Sequence, residues 1–376
     1  MHKIGQIGIL HVIFLVMTFI GLKNHVTILP PILEHVKRDG WMSVIIAAIL
    51  IFPWLFLILF IHNKTYQKPI KEWLNQKIGK VGSAVILYST VGMIFLIAAF
   101  SLRETVLWIS STFLIATPKV LLLLVYIILC TTLVTTNMLT IVIVNTLVLF
   151  FVVVFGFYVA IANSHIKDFS LLHPLLEHGF SPVIKGFVYP ASGFIELFLL
   201  LFIQHHFKSK LKWHHLALML VILTGLTLGP LIGAIVEFGP AEAARQRYPA
   251  YEEWGLVTIG RFIEHMDFLS IYQWLTGTFI RVGILLFIAA EILNLTGQST
   301  KIWSYMVPPF SIICLSLLLI DDSVFLKLNT HEMLIITFLY FLILSIILAV
   351  IAFCSSKGLK ANHHVPRPRK NQKNRR

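Results

Sequence analysis

The chain has 376 residues, of which 57% are hydrophobic and only 12% are charged, and its formal net charge is +13. A soluble domain carries about a quarter charged residues, so this composition excludes a disordered chain and disfavours a soluble enzyme of two domains. Several apolar runs without Asp, Glu, Lys or Arg reach the roughly 20 residues that a helix needs to cross a bilayer. The sequence therefore predicts an all-α membrane protein with many spans.

Ten membrane spans are predicted along the chain. The apolar stretch 120–166 is divided into two spans because Thr135, Thr136 and Asn137 supply a polar turn. The predicted spans cover approximately residues 7–33, 41–62, 82–111, 119–136, 139–162, 183–206, 213–237, 266–294, 302–320 and 333–354. They form one transmembrane domain, 1–356. The basic tail that follows, 357–376, has no apolar face to bury and is expected to be disordered.

The distribution of charge between the spans predicts the orientation. Most Lys and Arg residues fall on the side of the N-terminus, including five lysines at 64–80 and the basic tail, whereas acidic residues fall mainly on the other side. The positive-inside rule then places both termini in the cytoplasm, which requires an even number of spans. The tail is expected to be attracted to anionic membrane lipid. No nucleic-acid partner is expected, because the tail lacks interleaved aromatic residues.

The first and sixth spans are predicted to be interrupted. The first carries Gly21 and Asn24 in its middle and closes on two prolines, and the sixth carries the run Tyr189-Pro190-Ala191-Ser192-Gly193. Proline removes a helical hydrogen bond and glycine weakens a helix. The interruptions occupy the same place in two groups of five spans, 7–162 and 183–354, which would have opposite orientations. This pattern predicts an inverted repeat with a ligand site at mid-membrane depth, although two unrelated proline kinks are the alternative. The expected ligand-binding residues are Gly21, Asn24, Tyr189, Ser192 and Gly193.

Two segments between the spans have distinct patterns. Residues 68–80 place apolar side chains on one helical face and lysines around it, which predicts a short amphipathic helix at the inner interface. The outer segment 238–265 is long and polar, and it is expected either to cover the outer side as a lid or to remain a solvated loop. The residues assigned to this outer lid are Tyr248, Pro249, Glu252, Glu264 and Asp267.

Six charges fall inside the predicted spans, and each costs on the order of 3 kcal/mol at the bilayer centre. They are Lys23, Arg103, Glu104, Glu196, Arg281 and Glu291. Each is expected to face the bundle interior with a partner from another helix, and Arg103 with Glu196 is the first expected pair. Arg281 and Glu291 lie about 15 Å apart along one helix, too far for direct contact. Such a network could serve function or could only fix helix packing.

Metal, redox and hydrolytic chemistry lack a sequence pattern. The pairs His205-His206 and His214-His215 have no Cys or carboxylate beside them, so no metal site is expected. The three cysteines show no paired spacing. No catalytic triad, phosphate-binding loop or HExxH motif occurs, so neither an enzyme nor a cofactor is expected.

A distinctive pattern precedes and enters the eighth span. It consists of Tyr248-Pro249-x-x-Glu252, then Ile259-Gly260-Arg261-Phe262-Ile263-Glu264-His265-Met266-Asp267, then Trp274 and Phe279-Ile280. This pattern resembles the spore germination permeases, the integral-membrane B subunits of nutrient germinant receptors within the amino acid–polyamine–organocation superfamily. Weaker similarity lies in Asp39-Gly40-Trp41, in Gly92 with Arg103, and in Gly193 with Glu196. His265 stands where the family often has Arg, and Lys23-Asn24 makes the first interruption more polar than usual.

The resemblance implies a LeuT-like fold of ten helices. It also implies that the protein acts with an A-type and a C-type subunit in the inner membrane of dormant spores, where it senses an amino acid or a similar nutrient. Two other functions remain open from the residues alone. One is a secondary amino-acid transporter coupled to H⁺ or Na⁺, with Glu196 or Glu291 titrating. The other is a passive ion or water pathway lined by Arg103, Glu104 and Glu196.

Overall fold

The described part of the chain consists mainly of apolar α-helices, joined by connections that range from tight turns to the long outer segment. The computed structural model describes residues 6–258 and 266–361, and these ranges contain no β-strand. Eight helices within them are long and apolar enough to cross a membrane by length and composition. One of the eight, Ile9–Thr65, includes both the first and the second predicted spans, and the helix of the fourth, Lys119–Val134, is shorter than the others. Helical backbone therefore occupies all ten predicted spans.

Each predicted span corresponds to one or more observed helices, and the spans are numbered in chain order. They comprise Ile9–Phe19, Gly21–His25 and Leu29–Val36 (first), Gly40–Thr65 (second), Ile70–Thr112 (third), Lys119–Val134 (fourth), Met138–Ala162 (fifth), Phe180–Gly186, Val188–Phe194, Ile195–Leu199, Leu200–Ile203 and Gln204–His206 (sixth), Trp213–Phe238 (seventh), Phe268–Leu293 (eighth), Ser299–Lys301, Ile302–Met306 and Val307–Leu318 (ninth), and Asp322–Lys327, Leu328–Glu332 and Met333–Ala361 (tenth). The tenth span begins earlier than predicted, because the Asp321 side chain accepts from the Ser323 N–H and caps the first turn.

The first span is interrupted, as predicted, but downstream of the residues that predicted the interruption. Gly21 and Asn24 lie within a helical segment, and the backbone leaves the helix at Val26–Ile28. A new helix starts at Leu29, with Pro30 and Pro31 in its first turn. Proline is tolerated there because the first N–H groups of a helix have no partner within it.

The sixth span is also divided, and its division is displaced too. The run Tyr189–Gly193 is α-helical within Val188–Phe194, so the interruption expected at these residues is wrong in its position. A turn at Phe187 precedes this helix, and a tighter 3₁₀ segment, Ile195–Leu199, follows it. Pro190 lies in the first turn of its helix, where its missing N–H breaks no helical bond.

The third span begins with the predicted amphipathic helix. Its first turns from Ile70 bury Trp73 and Leu74 against the bundle, and the backbone then bends at Gly79, whose φ is 74°. Positive φ is readily adopted only by glycine, so Gly79 permits the sharp change of direction between the amphipathic helix and the long span.

Burial distinguishes central spans from peripheral ones. The sixth and eighth spans are the most buried, whereas the fifth and ninth expose large apolar side chains such as Phe157 and Ile312. Exposure of such a large apolar surface to water is unfavourable, whereas its contact with lipid is not. The protein is therefore an all-α integral membrane protein that crosses the bilayer several times. The LeuT-like arrangement of two five-helix repeats remains a prediction.

Contacts between loops define the two ends of the bundle. Residues 62–71, 204–211 and 291–292 meet at one end, which we call the basic end. Residues 35–39, 163–177, 237–254 and 322–331 lie at the opposite end, which we call the acidic end.

Candidate functional site

A buried carboxylate holds two cations at the centre of the bundle. Glu196 of the sixth span accepts from Lys23 Nζ at 2.9 Å and from both terminal nitrogens of Arg281 at 2.8 and 3.0 Å. The three side chains are at most 6% exposed. We call this trio, Lys23, Glu196 and Arg281, the central triad. It joins the first, sixth and eighth spans and carries one excess positive charge.

The remaining donors of the triad are directed to neutral oxygens. Lys23 Nζ donates to the Ser192 carbonyl at 2.9 Å, and Arg281 donates to the Ser101 hydroxyl at 3.0 Å and to the Phe19 carbonyl. Buried ions are tolerated only when such hydrogen bonds offset part of the lost hydration. The central triad is therefore a well-satisfied polar core, and a cavity of about 20 Å³ beside it has room for roughly one water molecule.

The expected pair of Arg103 with Glu196 is wrong. Arg103 instead contacts Asp322 at the start of the tenth span, and Lys119 donates to the same carboxylate at 2.7 Å. Arg103 points toward the acidic end of the third span, whereas Glu196 is already surrounded by the two other cations. The neighbouring residue Glu104 is buried and accepts from the Thr27 hydroxyl at 2.7 Å, next to the interruption of the first span.

Glu291 does not join the central triad either. It lies at the basic end of the eighth span, where its two oxygens contact His205 and His206 at 3.0 and 3.1 Å. The expectation that no carboxylate joins this histidine pair is therefore wrong. The sequence gives no sign of the contact, because Glu291 is separated from the histidines by two spans.

The residues expected to bind a ligand fall into four places. Asn24 and Gly193 touch directly, since a Cβ built on Gly193 would lie 1.9 Å from Asn24 Oδ1. Ser192 supports the central triad through its carbonyl. Tyr189 lies at the acidic end, where its hydroxyl contacts His331 at 3.1 Å. Gly21 is the member of the set that lines a large cavity between the spans.

A cavity of about 550 Å³ lies between the first, fifth, seventh and eighth spans. Its walls are mainly apolar, with small residues such as Gly225 and Gly229 on the seventh span. A few polar side chains also face it, among them Thr18, His25 and Gln273. A predominantly apolar cavity of several hundred cubic ångströms with a few polar groups is the usual form of a small-molecule site. The cavity meets the first span at Gly21–Val26, directly beside its interruption.

The outer segment covers this cavity at the acidic end. Tyr248 and Pro249 line it, and the Tyr248 ring packs edge-on against Trp274 with centroids 4.9 Å apart. Trp274 in turn stacks on Trp108 of the third span at 4.2 Å. Offset stacked and edge-to-face rings add about 0.5–1.5 kcal/mol per pair beyond burial. The outer segment is thus anchored by an aromatic cluster to the third and eighth spans.

The other outer residues lie toward solvent or outside the described ranges. Glu252 is exposed, and Asp267 accepts from the Tyr251 hydroxyl at 3.2 Å. Partial burial and the nearby Asp267 carboxylate raise the pKa of Glu252 above its usual value and that of Tyr251 to about 12. Glu264 lies outside the described residues.

The sequence analysis missed a buried carboxylate of the outer segment, Glu253. Glu253 lines the cavity and packs against Gly233, and one of its carboxylate oxygens has no hydrogen-bond partner among the described residues. Burial, followed by the nearby Glu237 charge, raises the pKa of Glu253 well above its usual value. Asn163 holds this region together, because its amide donates to the Glu253 carbonyl and to the Glu237 carboxylate, both at 2.8 Å. The sequence pattern includes Glu252, and it gives no sign that the neighbouring Glu253 is the buried residue.

Comparison with known proteins identifies the family of this chain. A family model described as spore germination protein matches residues 6–325 of this chain. Spore germination protein XB of Bacillus anthracis is 38% identical over 343 residues, which cover 91% of this chain and 96% of that protein. Spore germination protein A2 of Bacillus subtilis (strain 168) is 22% identical over 268 residues, which cover 70% of this chain and 73% of that protein. The chain therefore belongs to the spore germination protein family, as a multi-pass membrane protein of spore germination.

Proposed function

We propose that this protein is the nutrient-sensing subunit of a spore germinant receptor. It would bind an amino acid or a similar small nutrient within the membrane and signal germination through A-type and C-type partner subunits. The proposal places it in the spore inner membrane with both termini on the cytoplasmic side, as the charge distribution predicts. Family membership supports the role in germination, and the proposed ligand site depends on the cavity.

The observation that carries the proposal is the 550 Å³ cavity beside the interrupted first span. Its volume suits a small nutrient. The polar end of such a nutrient could be oriented by Thr18, His25 and Gln273, and its apolar part would contact the apolar walls. The outer segment closes one side through Tyr248 and Trp274. A ligand that fits the cavity better with this segment closed would shift the protein toward that state.

Filling the cavity tests the proposal. A side chain added at Gly229 would meet no atom within 4 Å of its Cβ and would enter the cavity, so Gly229→Leu should fold normally and occupy ligand space. We expect the nutrient concentration for half-maximal germination to rise at least tenfold. Gly92→Leu is the matched control, because Gly92 is exposed, also has open space and lies away from the cavity. An unchanged dose response of Gly229→Leu spores, at normal protein level, would contradict this site.

A transporter coupled to H⁺ or Na⁺ is the second candidate, and Glu104 favours it. This buried carboxylate is bonded by the neutral Thr27 hydroxyl and forms no ion pair within the described ranges. A buried carboxylate at an interrupted helix is a reasonable proton carrier. Net uptake of labelled amino acid by the protein alone in liposomes, lost in Glu104→Gln, would favour transport. Nutrient response without such uptake would favour sensing.

A further inference from the structure

Two histidines and one carboxylate converge at the basic end, away from the cavity. His205 and His206 end the sixth span, and their Nε2 atoms lie 3.0 and 3.1 Å from the two oxygens of Glu291 on the eighth span. One ligand atom of each residue lies within 4.8 Å of the others. The side chains are 15–22% exposed, so an ion from solution can reach them.

We propose that His205, His206 and Glu291 form a binding site for a divalent transition-metal ion of the zinc type. Imidazole nitrogen and carboxylate oxygen bind Zn²⁺ at about 2.0–2.2 Å. Two ligands at these distances from a tetrahedral ion lie roughly 3.3 Å apart. The two nitrogen–oxygen distances are only slightly shorter, so small rotations of the side chains admit the ion. Three protein ligands leave one position for water.

The ligand types exclude other common ions. Ca²⁺ and Mg²⁺ prefer six or more oxygen ligands, and this site offers two nitrogens and a single carboxylate. Imidazole with carboxylate suits Zn²⁺ and its neighbours in the first transition series. The ion would also bring a compensating positive charge to Glu291.

Other histidine groups of the described ranges fit an ion less well. His35 and His331 approach Glu34 at the acidic end, but Glu34 and His35 are exposed and His331 Nδ1 contacts the Tyr189 hydroxyl at 3.1 Å. The pair His214-His215, at the basic end, belongs to no group of three ligand residues among the residues that the structure describes. It provides the matched control.

An ion at this site would fix several spans together. The backbone next to the histidines is hydrogen-bonded to the residues that precede the first span. Ile7 N–H donates to the His206 carbonyl at 2.9 Å, and Lys208 N–H donates to the Ile7 carbonyl at 2.9 Å. The ion would therefore clamp the basic ends of the sixth and eighth spans while the first stays attached. Binding to the folded protein alone raises its stability by mass action.

Co²⁺ is the probe for the first experiment, because it substitutes for Zn²⁺ and its visible absorption reports coordination. The purified full chain in detergent, freed of metal by a chelator, is titrated with Co²⁺ and then with competing Zn²⁺. We expect a one-to-one tetrahedral or five-coordinate spectrum and a higher melting temperature. No spectrum and no change in melting temperature would overturn the proposal.

Substitutions then assign the ligands. His205→Ala, His206→Ala and Glu291→Gln should each weaken Co²⁺ binding by more than about 100-fold, because even partners outside the ligand set cost 10- to 100-fold. The double variant His214→Ala, His215→Ala should bind like the wild type, and so should His331→Ala. Loss of the spectrum in either control, with normal binding in the three ligand variants, would refute the assignment.

A variant that gains a new absorption band distinguishes a change of metal ligand from misfolding. His206→Cys retains three potential ligands and should add a thiolate-to-cobalt charge-transfer band in the near ultraviolet. A monodisperse His206→Cys protein that binds Co²⁺ without this band would show that residue 206 does not touch the ion. Because the site lies at the opposite end from the cavity, normal nutrient sensing with absent metal binding would reject this proposal alone.

Discussion

The geometry of the central triad predicts that substitution of its carboxylate and of its lysine will destabilise the protein by different amounts. Glu196→Gln leaves Lys23 and Arg281 buried without their shared carboxylate, whereas Lys23→Met leaves Glu196 with its two bonds from Arg281. Removing one partner of a buried ion pair costs about 3–5 kcal/mol, and here two pairs lose the same partner. We therefore expect Glu196→Gln to lower the free energy of unfolding by at least that amount.

Lys23→Met is expected to be much milder. Methionine is close to lysine in length, and the remaining Glu196–Arg281 pair is neutral, so the excess charge of the triad disappears. The variant loses the Lys23 bond to Glu196, which keeps its two bonds from Arg281, and the donor to the Ser192 carbonyl; together these cost about 1–3 kcal/mol. The difference between the two variants should therefore be about 2 kcal/mol or more, well above a tenfold change in the unfolding equilibrium.

Equilibrium unfolding in mixed detergent micelles with increasing SDS, followed by tryptophan fluorescence, measures these differences. The matched control is Glu242→Gln, which makes the same chemical change at an exposed residue 4.0 Å from Arg245. Exposed pairs are worth about 0–1 kcal/mol, so this variant should resemble the wild type. If Glu196→Gln is no less stable than Glu242→Gln, or if Lys23→Met is the more damaging of the pair, then Glu196 is not the electrostatic centre of the fold.

Two further predictions concern close packing and pH. Gly193→Ala should destabilise the protein by about 1–3 kcal/mol, because the new Cβ would overlap Asn24 Oδ1, whereas Gly92→Ala has open space and should be neutral or slightly stabilising in thermal unfolding. Burial and Glu237 raise the pKa of Glu253, so its neutral form is favoured in the fold. Its contribution to stability is therefore complete below the ordinary glutamate pKa of about 4.3 and is lost as the pH rises through the raised value. The stability of Glu253→Gln should therefore fall less than that of the wild type between acidic and alkaline buffers, as measured by thermal unfolding. A decline as large as that of the wild type would exclude Glu253 as its source.

The helical stretches of the chain could be predicted because that information is local in sequence. A run of about 20 apolar residues must be helical in lipid, and polar turns such as Thr135–Asn137 separate neighbouring runs. The bounds of the interruptions were less accurate. Pro30, Pro31 and Pro190 do mark the affected spans, but each sits in the first turn of a restarting helix rather than at the break itself. Proline thus predicts that a helix restarts, and the irregular residues precede it.

The partners of the buried charges could not be predicted, because they depend on how each helix is rotated and which helices are neighbours. Glu196 is 173 residues from Lys23 and 85 from Arg281 along the chain. The sequence established that each charge needed a partner, but Arg103 was as good a candidate as Arg281 until the packing of the third and eighth spans was known. The convergence of Glu291 on the histidine pair depends on the same packing.

The position of these contacts indicates which part of the bundle can move. The sixth and eighth spans are joined by Glu196 and Arg281. They are joined again ten residues further along each span, by His206 and Glu291. At 1.5 Å per residue the two levels are about 15 Å apart, so the pair is braced against both tilting and sliding. The cavity lies beside this braced pair, with walls from the fifth and seventh spans and a cover from the outer segment. A ligand in the cavity would therefore act by moving the fifth and seventh spans or the outer segment relative to the fixed sixth and eighth spans. Tyr248 lines the cavity and packs against Trp274 of the eighth span, so closure of the outer segment would be transmitted to the eighth span through Tyr248.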